Sequence, residues 1–119
     1  MNSNQVEKRA LGSQGLVVSI QGLGAMGMTA FYDTTGTTEE EKLEVFGKAL
    51  EYGINFIDTA WIYQNFQTGE TNEELVGKAL KKYGRDKFIL ATKFGITFED
   101  GKLKPNGKPE TVRKQIEDS

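Results

Sequence analysis

The chain has 119 residues, which suits one ordinary domain of about 100–150 residues. Its net charge of -2, from 15 basic and 17 acidic side chains, excludes the strongly basic field that draws proteins to nucleic acid. Cysteine and histidine are both absent, which excludes a disulfide scaffold, a thiolate zinc site and the usual general base, so we predict no metal site.

The N-terminal residues carry no targeting signal that we recognise. The first ten are polar and lack the apolar run of a signal peptide. No later stretch approaches the roughly 20 apolar residues of a membrane span. We therefore predict a cytoplasmic protein with neither a membrane nor a nucleic-acid partner.

The first predicted element is a β-hairpin over residues 7–20. Two short apolar runs flank Gly12 and Gly15, and glycine at both ends of a short polar connection favours a hairpin. A second extended run follows over residues 19–23 and ends in a cluster of glycines. Residues 29–38 are rich in turn formers and hydroxyl side chains, so we predict a loop there.

Two consecutive helix–strand units form an internal repeat. Capping boxes that begin at Thr38 and Thr71 each precede an apolar stripe of helical period. The tetrapeptide Gly-Lys-Ala-Leu recurs at 47–50 and 77–80, and each copy leads through Tyr-Gly into a short apolar strand. A helix–strand period of about 30 residues is typical of a parallel sheet. The two predicted strands span residues 54–58 and 88–92.

The C-terminal part is predicted as a loop followed by a helix. Residues 96–108 are rich in glycine, lysine and other polar side chains, which indicates a solvated loop. Pro109 then suits the first turn of a helix, and an acidic residue next to it suits the positive end of the helix dipole. We expect Val112 and Ile116 to begin the apolar face of this helix.

The glycine cluster from Gly22 to Gly27 matches the dinucleotide-binding pattern G-x-G-x-x-G. That pattern requires a helix to begin at once, so that its N-terminus meets the pyrophosphate. Here a loop is predicted instead, and Asp58 lies well beyond the acidic position that the pattern needs about 20 residues on. Besides a Rossmann site, the alternatives are a tight turn, or small residues that let a flat ligand approach the strand end.

Polar side chains mark the carboxyl ends of the two predicted strands. Asp58 ends the first strand, Tyr63 follows it, and Lys93 ends the second. Because the carboxyl ends of parallel strands share one face, where active sites form, we expect these side chains to meet. A buried Lys93 needs a carboxylate partner, which Asp58 supplies. A cation beside a phenol stabilises the phenolate, so the trio is suited to protonating a carbonyl oxygen.

Each of these residues also has a purely structural explanation. Asp58 can cap a loop, Tyr63 can pack as an aromatic, and Lys93 can extend along apolar surface to solvent. Nearby, Trp61 and Phe66 can line a substrate mouth or simply pack at its rim. The catalytic hypothesis therefore rests on the three polar residues occurring together.

Several segments, in this order, resemble a known family. Together they are similar to the N-terminal part of an aldo-keto reductase, from about Arg9 to the last residue. The resemblance implies an α/β fold of the (β/α)8 TIM-barrel family. Residues 1–119 would form an incomplete barrel, with the hairpin at 7–20 and about three βα units over 19–119. The segments that carry the resemblance are Arg9–Gly12, Gly15–Ser19, Gly22–Met28, Gly53–Ala60, Thr71–Gly77 and Leu90–Gly95.

The resemblance also implies an oxidoreductase that uses NADPH/NADP+ to reduce an aldehyde or ketone to an alcohol. Tyr63 would be the proton donor and Lys93 would activate it. Asp58 would hold Lys93 and contact the cofactor. The family turn that faces the nicotinamide is matched by Gly24, Ala25 and Met26.

Three departures from the family pattern qualify these expectations. The family's tetrad histidine is absent, and the resemblance places it beyond the last residue. Gln64 stands where the family often has glycine. The residues that bind the 2′-phosphate of the cofactor belong to the later βα units of the family, and none of them is present here. Because a TIM barrel needs about 250 residues, we expect this fragment alone to be inactive and to associate through exposed barrel edges. The alternatives are a non-catalytic nicotinamide-binding or regulatory subunit and a truncated product.

Overall fold

The computed structural model describes residues 4–31 and 36–119 of the chain. In those ranges it contains three α-helices and seven short strands. None of these helices is long and apolar enough to cross a membrane. The strands are β1 (Lys8–Ala10), β2 (Val17–Ser19), β3 (Gly22–Gly24), β4 (Phe56–Asp58), β5 (Ile89–Ala91), β6 (Ile96–Glu99) and β7 (Lys102–Pro105), and the helices are α1 (Glu39–Glu51), α2 (Asn72–Tyr83) and α3 (Pro109–Asp118).

The N-terminal hairpin forms from β1 and β2, which pair antiparallel. Gly12 and Gly15 in its connection have φ angles of 78° and 86°, in the left-handed region that favours glycine. The hairpin lies next to the amino end of β4, where Ser19 and Asn55 exchange two hydrogen bonds. The Ser19 N–H donates to Oδ1 of Asn55 at 2.9 Å, and the Asn55 N–H donates to Oγ of Ser19 at 3.1 Å.

The centre of the fold is a parallel sheet of three strands in the order β3, β4, β5. Leu23, Ile57 and Leu90 lie in register across these strands. All three pack into one hydrophobic core with residues of α1 and α2. Within the described ranges these strands form an open parallel sheet rather than a closed barrel, as expected of an incomplete barrel.

Both helices of the predicted repeat are present, but the predicted capping box is complete only at α1, whereas at α2 only the bond to the Thr71 side chain forms. Thr38 and Glu41 form a reciprocal capping box at the start of α1, and Thr71 caps α2 by accepting from a backbone N–H. Gly53, just after α1, has a φ of 80°, as expected of the glycine that ends a helix. The apolar stripes of both helices face the core. Their buried residues are Phe46 and Ala49 in α1, and Leu75, Val76 and Ala79 in α2.

The segment at residues 96–108, which we predicted to be a loop, is mostly an antiparallel hairpin of β6 and β7. Its turn is formed by Asp100 and Gly101, whose φ angles are 50° and 74°. An Asp-Gly pair between two extended runs is a strong hairpin signal, because both central residues must adopt positive φ. The loop prediction was wrong because it weighed the glycine and lysine content above this pair.

Helix α3 begins at Pro109, as predicted, but it buries a different residue. Gln115 is 1% exposed, whereas Ile116 is 59% exposed. The Gly95 N–H donates to Oε1 of Gln115 at 2.7 Å, and Nε2 of Gln115 donates to the Ile96 carbonyl at 2.9 Å. The expected burial of Ile116 was therefore wrong. The buried face of α3 instead carries the amide of Gln115, which hydrogen-bonds to two backbone groups of the segment after β5.

In the described part of the chain, no α-helix starts at the glycine cluster. Met26–Met28 form a single 3-10 turn, and the next helix begins at Glu39. The cluster therefore lacks the helix N-terminus that binds a pyrophosphate, and the Rossmann interpretation is wrong. Of the loop predicted over residues 29–38, positions 32–35 lie outside the described residues.

Candidate active site

The carboxyl ends of β4 and β5 bring together the polar residues that the sequence singled out. Asp58 is the last residue of β4 and lies in register with Ala91 of β5. The pairing continues beyond the strands, since the Thr59 N–H donates to the Ala91 carbonyl at 2.9 Å. The Trp61 N–H then donates to the Lys93 carbonyl at 3.1 Å. This extended ladder fixes Lys93 beside the segment that follows β4.

Lys93 and Asp58 form an ion pair at this edge of the sheet. Nζ of Lys93 donates to Oδ2 of Asp58 at 2.7 Å and to the Thr59 carbonyl at 2.9 Å. The side chains of Lys93 and Asp58 are 47% and 49% exposed, so the expectation of a buried lysine was wrong. An ion pair this exposed contributes little to stability. Together with the bond to the Thr59 carbonyl, it fixes the position of the Lys93 ammonium group.

Tyr63 lies next to this ion pair. Nζ of Lys93 is 4.9 Å from the centre of the Tyr63 ring. Partial burial acts to lower the pKa of Lys93, but hydrogen bonds and charge interactions with Asp58 and Tyr63 outweigh it, so the pKa is raised. Lys93 therefore remains protonated at neutral pH and keeps a positive charge beside the phenol.

A buried asparagine connects the elements around Tyr63, and sequence reasoning missed it. Asn72, the first residue of α2, is fully buried. Its Nδ2 donates to the Ala25 carbonyl at 2.7 Å and to Oγ1 of Thr29 at 2.8 Å. Its Oδ1 accepts from Oγ1 of Thr59 at 2.5 Å. Because polar residues are common in the first turn of a helix, this sequence position carried no signal of burial.

The three residues expected to face a cofactor differ in accessibility. Gly24 is exposed and Met26 is half-buried. No atom outside its chain neighbours lies within 4 Å of the point where a Gly24 side chain would begin. Ala25 is fully buried in the core, and its N–H donates to the Asp58 carbonyl at 2.9 Å. Gly24 and Met26 thus offer surface to a ligand, whereas Ala25 fixes the turn to β4.

Apolar side chains surround the phenol. A cavity of about 200 Å³ beside Tyr63 and Lys93 is lined otherwise by apolar residues. Phe31 meets the Tyr63 ring edge-on, with the ring centres 6.4 Å apart. The site therefore combines one charged pair with a largely apolar approach. The other lining residues of the cavity are Ala60, Ile62, Phe94 and Ile96.

The two aromatic candidates for a substrate mouth have different surroundings. Phe66 stacks on Phe98 of β6, with ring centres 4.5 Å apart, and this contact ties the β6–β7 hairpin to the loop after Tyr63. Nε1 of Trp61 instead donates to Oδ2 of Asp118 in α3 at 3.0 Å. Phe66 therefore belongs to the contact with the β6–β7 hairpin and Trp61 to the contact with α3, while other residues line the cavity beside Tyr63.

Known proteins share both the sequence pattern and the fold. The model of the Aldo/keto reductase family matches residues 22–119. The chain belongs to this family. A curated aldo-keto reductase relative from Glycine max, named "Probable aldo-keto reductase 1", is 42% identical over 116 residues. The match covers 95% of this chain and 32% of the relative.

Solved aldo-keto reductases have the same arrangement over the matched part. One from Bacillus halodurans, in its holo form, aligns with a TM-score of 0.73 at 37% identity, covering 96% of this chain and 35% of that one. A Pseudomonas aeruginosa protein classed among the aldo-keto reductases aligns with a TM-score of 0.76 at 29% identity, covering 93% and 40%. The chain therefore spans 32% of the curated relative and no more than 40% of these two solved chains.

Proposed function

We propose that these residues serve in an NADP(H)-dependent aldo-keto reductase that reduces an aldehyde or ketone to an alcohol. The observation that carries the proposal is the ion pair of Lys93 and Asp58 beside Tyr63, at the carboxyl ends of two parallel strands. Active sites of TIM barrels lie at this end of the strands. Because the chain spans about a third of its curated relative, we propose the activity for a complete barrel that carries these residues. The chain alone is expected to be inactive.

Tyr63 is the proton donor in this proposal. Negative charge develops on the carbonyl oxygen during reduction, and a phenol placed there can protonate it. The ammonium group of Lys93, beside the ring, stabilises the phenolate that remains. Asp58 and the Thr59 carbonyl hold that ammonium group from two sides. The three side chains therefore act as one general acid.

The open surface at the end of β3 fits a nicotinamide ring. Gly24 lies in register with Asp58, so this surface adjoins the ion pair, and the absent side chain leaves it uncovered. We assign Gly24, Met26 and Asp58 to holding this part of the cofactor, with Ala25 shaping the turn. When bound, the reduced nicotinamide supplies the hydride for the carbonyl carbon.

The surroundings of the site bear on substrate, partners and location. The mostly apolar cavity beside Tyr63 favours small carbonyl compounds with apolar substituents. In the described residues β3 and β5 each have one unpaired edge, and such edges favour association with further strands. A cytoplasmic location is part of the same proposal, as expected for the aldo-keto reductase family to which the chain belongs.

Cofactor titration and turnover together test the proposed function. A complete barrel that carries these residues is titrated with NADPH by fluorescence quenching and then assayed for NADPH oxidation with a panel of aldehydes. Binding with turnover supports the reductase. Binding without turnover supports a non-catalytic nicotinamide-binding subunit instead. Absence of binding contradicts both functions.

A matched pair of lysine variants tests the assigned role of Lys93. The ion pair of Lys78 with Glu39 has the same 2.7 Å length as that of Lys93 with Asp58, but it joins two helices away from the strand ends. Lys93→Met should lower kcat by about 100-fold or more, because it removes the charge beside the phenol. Lys78→Met should leave kcat unchanged. Equal rates for the two variants would contradict the assignment.

A further inference from the structure

We propose that Asn72 is a positioning residue that, together with Thr29, fixes Tyr63 relative to the turn after β3. The claim about position depends only on the hydrogen bonds of the described residues. Its consequence for proton transfer rests on the proposed function of Tyr63. The pairing of Lys93 with Asp58 and the family assignment do not depend on this positioning role of Asn72.

Both polar atoms of the Asn72 side-chain amide are hydrogen-bonded, and both amide hydrogens have an acceptor. An amide offers two donor hydrogens and one acceptor oxygen. Here the Ala25 carbonyl and the Thr29 hydroxyl accept, and the Thr59 hydroxyl donates. Any rotation of the buried amide leaves at least one of these groups without its partner, which is costly in a dry interior. The network therefore specifies one arrangement of the three segments that it joins.

The backbone of Tyr63 is held by the same group of residues. Its carbonyl accepts from the Asn72 N–H at 2.9 Å and from Oγ1 of Thr29 at 3.0 Å. Because Oγ1 of Thr29 also accepts from Nδ2 of Asn72, the three residues form a closed ring of hydrogen bonds. The ring uses only the backbone of Tyr63, so its phenol stays available to a substrate.

The amide also ties this ring to the strand ends. The turn residue that it binds, Ala25, donates its own N–H to the Asp58 carbonyl at 2.9 Å. Thr59, which bonds to Oδ1 of Asn72, directly follows Asp58 in the chain. The turn after β3, the end of β4 and Tyr63 thus meet at one side chain. Its loss should let Tyr63 move relative to Asp58.

A purely structural role for Asn72 makes a different prediction. If Asn72 had only that role, its replacement would loosen α2 as a whole, and probes at both ends of the helix would respond alike. The other end carries a suitable control, since the Tyr83 hydroxyl donates to the Leu43 carbonyl at 2.9 Å. Tyr83→Phe removes that one hydrogen bond between α2 and α1 and leaves the strand-end network intact.

Fluorine NMR of the 119-residue chain labelled with 3-fluorotyrosine tests the proposal. The sequence has four tyrosines, and Tyr63→Phe identifies the Tyr63 resonance. Asn72→Ala and Thr29→Val should each shift or broaden that resonance and leave the Tyr83 resonance in place. Thr29→Ser keeps the hydroxyl and should leave the Tyr63 resonance unchanged. Tyr83→Phe should also leave it unchanged.

Three results would overturn the proposal. One is an unchanged Tyr63 resonance in both Asn72→Ala and Thr29→Val. Another is an equal displacement of all resonances in these variants, which indicates a general loss of structure. The third is a parent spectrum in which all the tyrosine resonances coincide, because Tyr63 then has no fixed environment. The measurement needs neither cofactor nor turnover, so it can fail while the reductase proposal stands, or succeed while that proposal fails.

A kinetic measurement in a complete barrel extends the test to proton transfer. Asn72→Ala should lower kcat by about tenfold or more, while KM for the aldehyde should change by less than about threefold. A misplaced proton donor reduces the stabilisation of the transition state more than it reduces substrate binding. An unchanged kcat, or a change in KM alone, would contradict the role in catalysis.

Discussion

The two faces of the parallel sheet differ in what their side chains do. Adjacent residues of β4 show the contrast, since Ile57 is fully buried against α1 and α2, whereas Asp58 is half-exposed and paired with Lys93. Side chains alternate along a strand, so three strands of only three residues each supply both a core and a candidate site. The difference teaches that stability and proposed chemistry can be altered separately, one face at a time.

The largest expected effect on stability comes from the helix-facing side. Ile57→Ala should lower the free energy of unfolding by about 2–5 kcal/mol, because it leaves a cavity in the packed core. Ile89 is the matched control, since it lies in register with Phe56 on the opposite face and is only half-buried. Ile89→Ala should cost less than half as much in urea unfolding followed by circular dichroism. Equal costs would remove the contrast between the faces.

The repeated tetrapeptide sharpens the comparison on the helix side. A side chain at Gly47 would begin 2.7 Å from the Tyr83 hydroxyl, whereas nothing lies within 4 Å of the same point at Gly77. Gly47→Ala should therefore destabilise the chain by about 1–3 kcal/mol through overpacking. Gly77→Ala should stabilise it by up to about 1 kcal/mol, because alanine is the better helix former. Thermal unfolding of both variants checks the difference, and the same sign for both would contradict it.

A smaller effect is expected where α1 meets the loop beyond Tyr63. Lys42 is 7% exposed and pairs with Glu70 at 3.3 Å, with Glu70 33% exposed. Glu70→Gln should cost about 1–2 kcal/mol of unfolding free energy, because it leaves a buried ammonium group without its counter-charge. Glu39→Gln breaks the exposed pair with Lys78 and should cost less than about 0.5 kcal/mol. A larger loss for Glu39→Gln in urea unfolding would reverse this ranking.

The smallest effect is a pH response at α3, away from both faces. Hydrogen bonds from Lys114 and then Trp61 lower the pKa of Asp118. A carboxylate with a lowered pKa contributes its interaction above its ordinary pKa of about 4 and loses it as pH falls through the lowered value. Trp61, the only tryptophan, should therefore change its fluorescence below about pH 4. Asp118→Asn should abolish this transition, and its persistence would assign the change to another group.

The features that sequence could predict are those written in local spacing. The cap of Thr38 on α1, the apolar stripes and the glycine after α1 depend on residues within a few positions of each other, and all of them are confirmed. The meeting of Asp58 and Lys93 also followed from local evidence, because parallel strands bring their carboxyl ends to one edge.

The features that sequence could not predict depend on distant partners. The buried amides of Asn72 and Gln115 bond to residues far along the chain, and nothing in their neighbouring residues indicates this. The exposure of Lys93 depends on what covers the strand ends, which spacing does not report. The β6–β7 hairpin is different, because its Asp-Gly turn was readable and was overlooked.

The central claim is that Tyr63 donates the proton, and one pair of variants tests it most directly. In a complete barrel that carries these residues, Tyr63→Phe is compared with Tyr52→Phe, a half-exposed tyrosine at the end of α1. We predict that Tyr63→Phe lowers kcat for aldehyde reduction by about 100-fold or more with NADPH affinity retained, and that Tyr52→Phe changes neither. A Tyr63→Phe variant that reduces aldehydes at the parent rate would contradict the account.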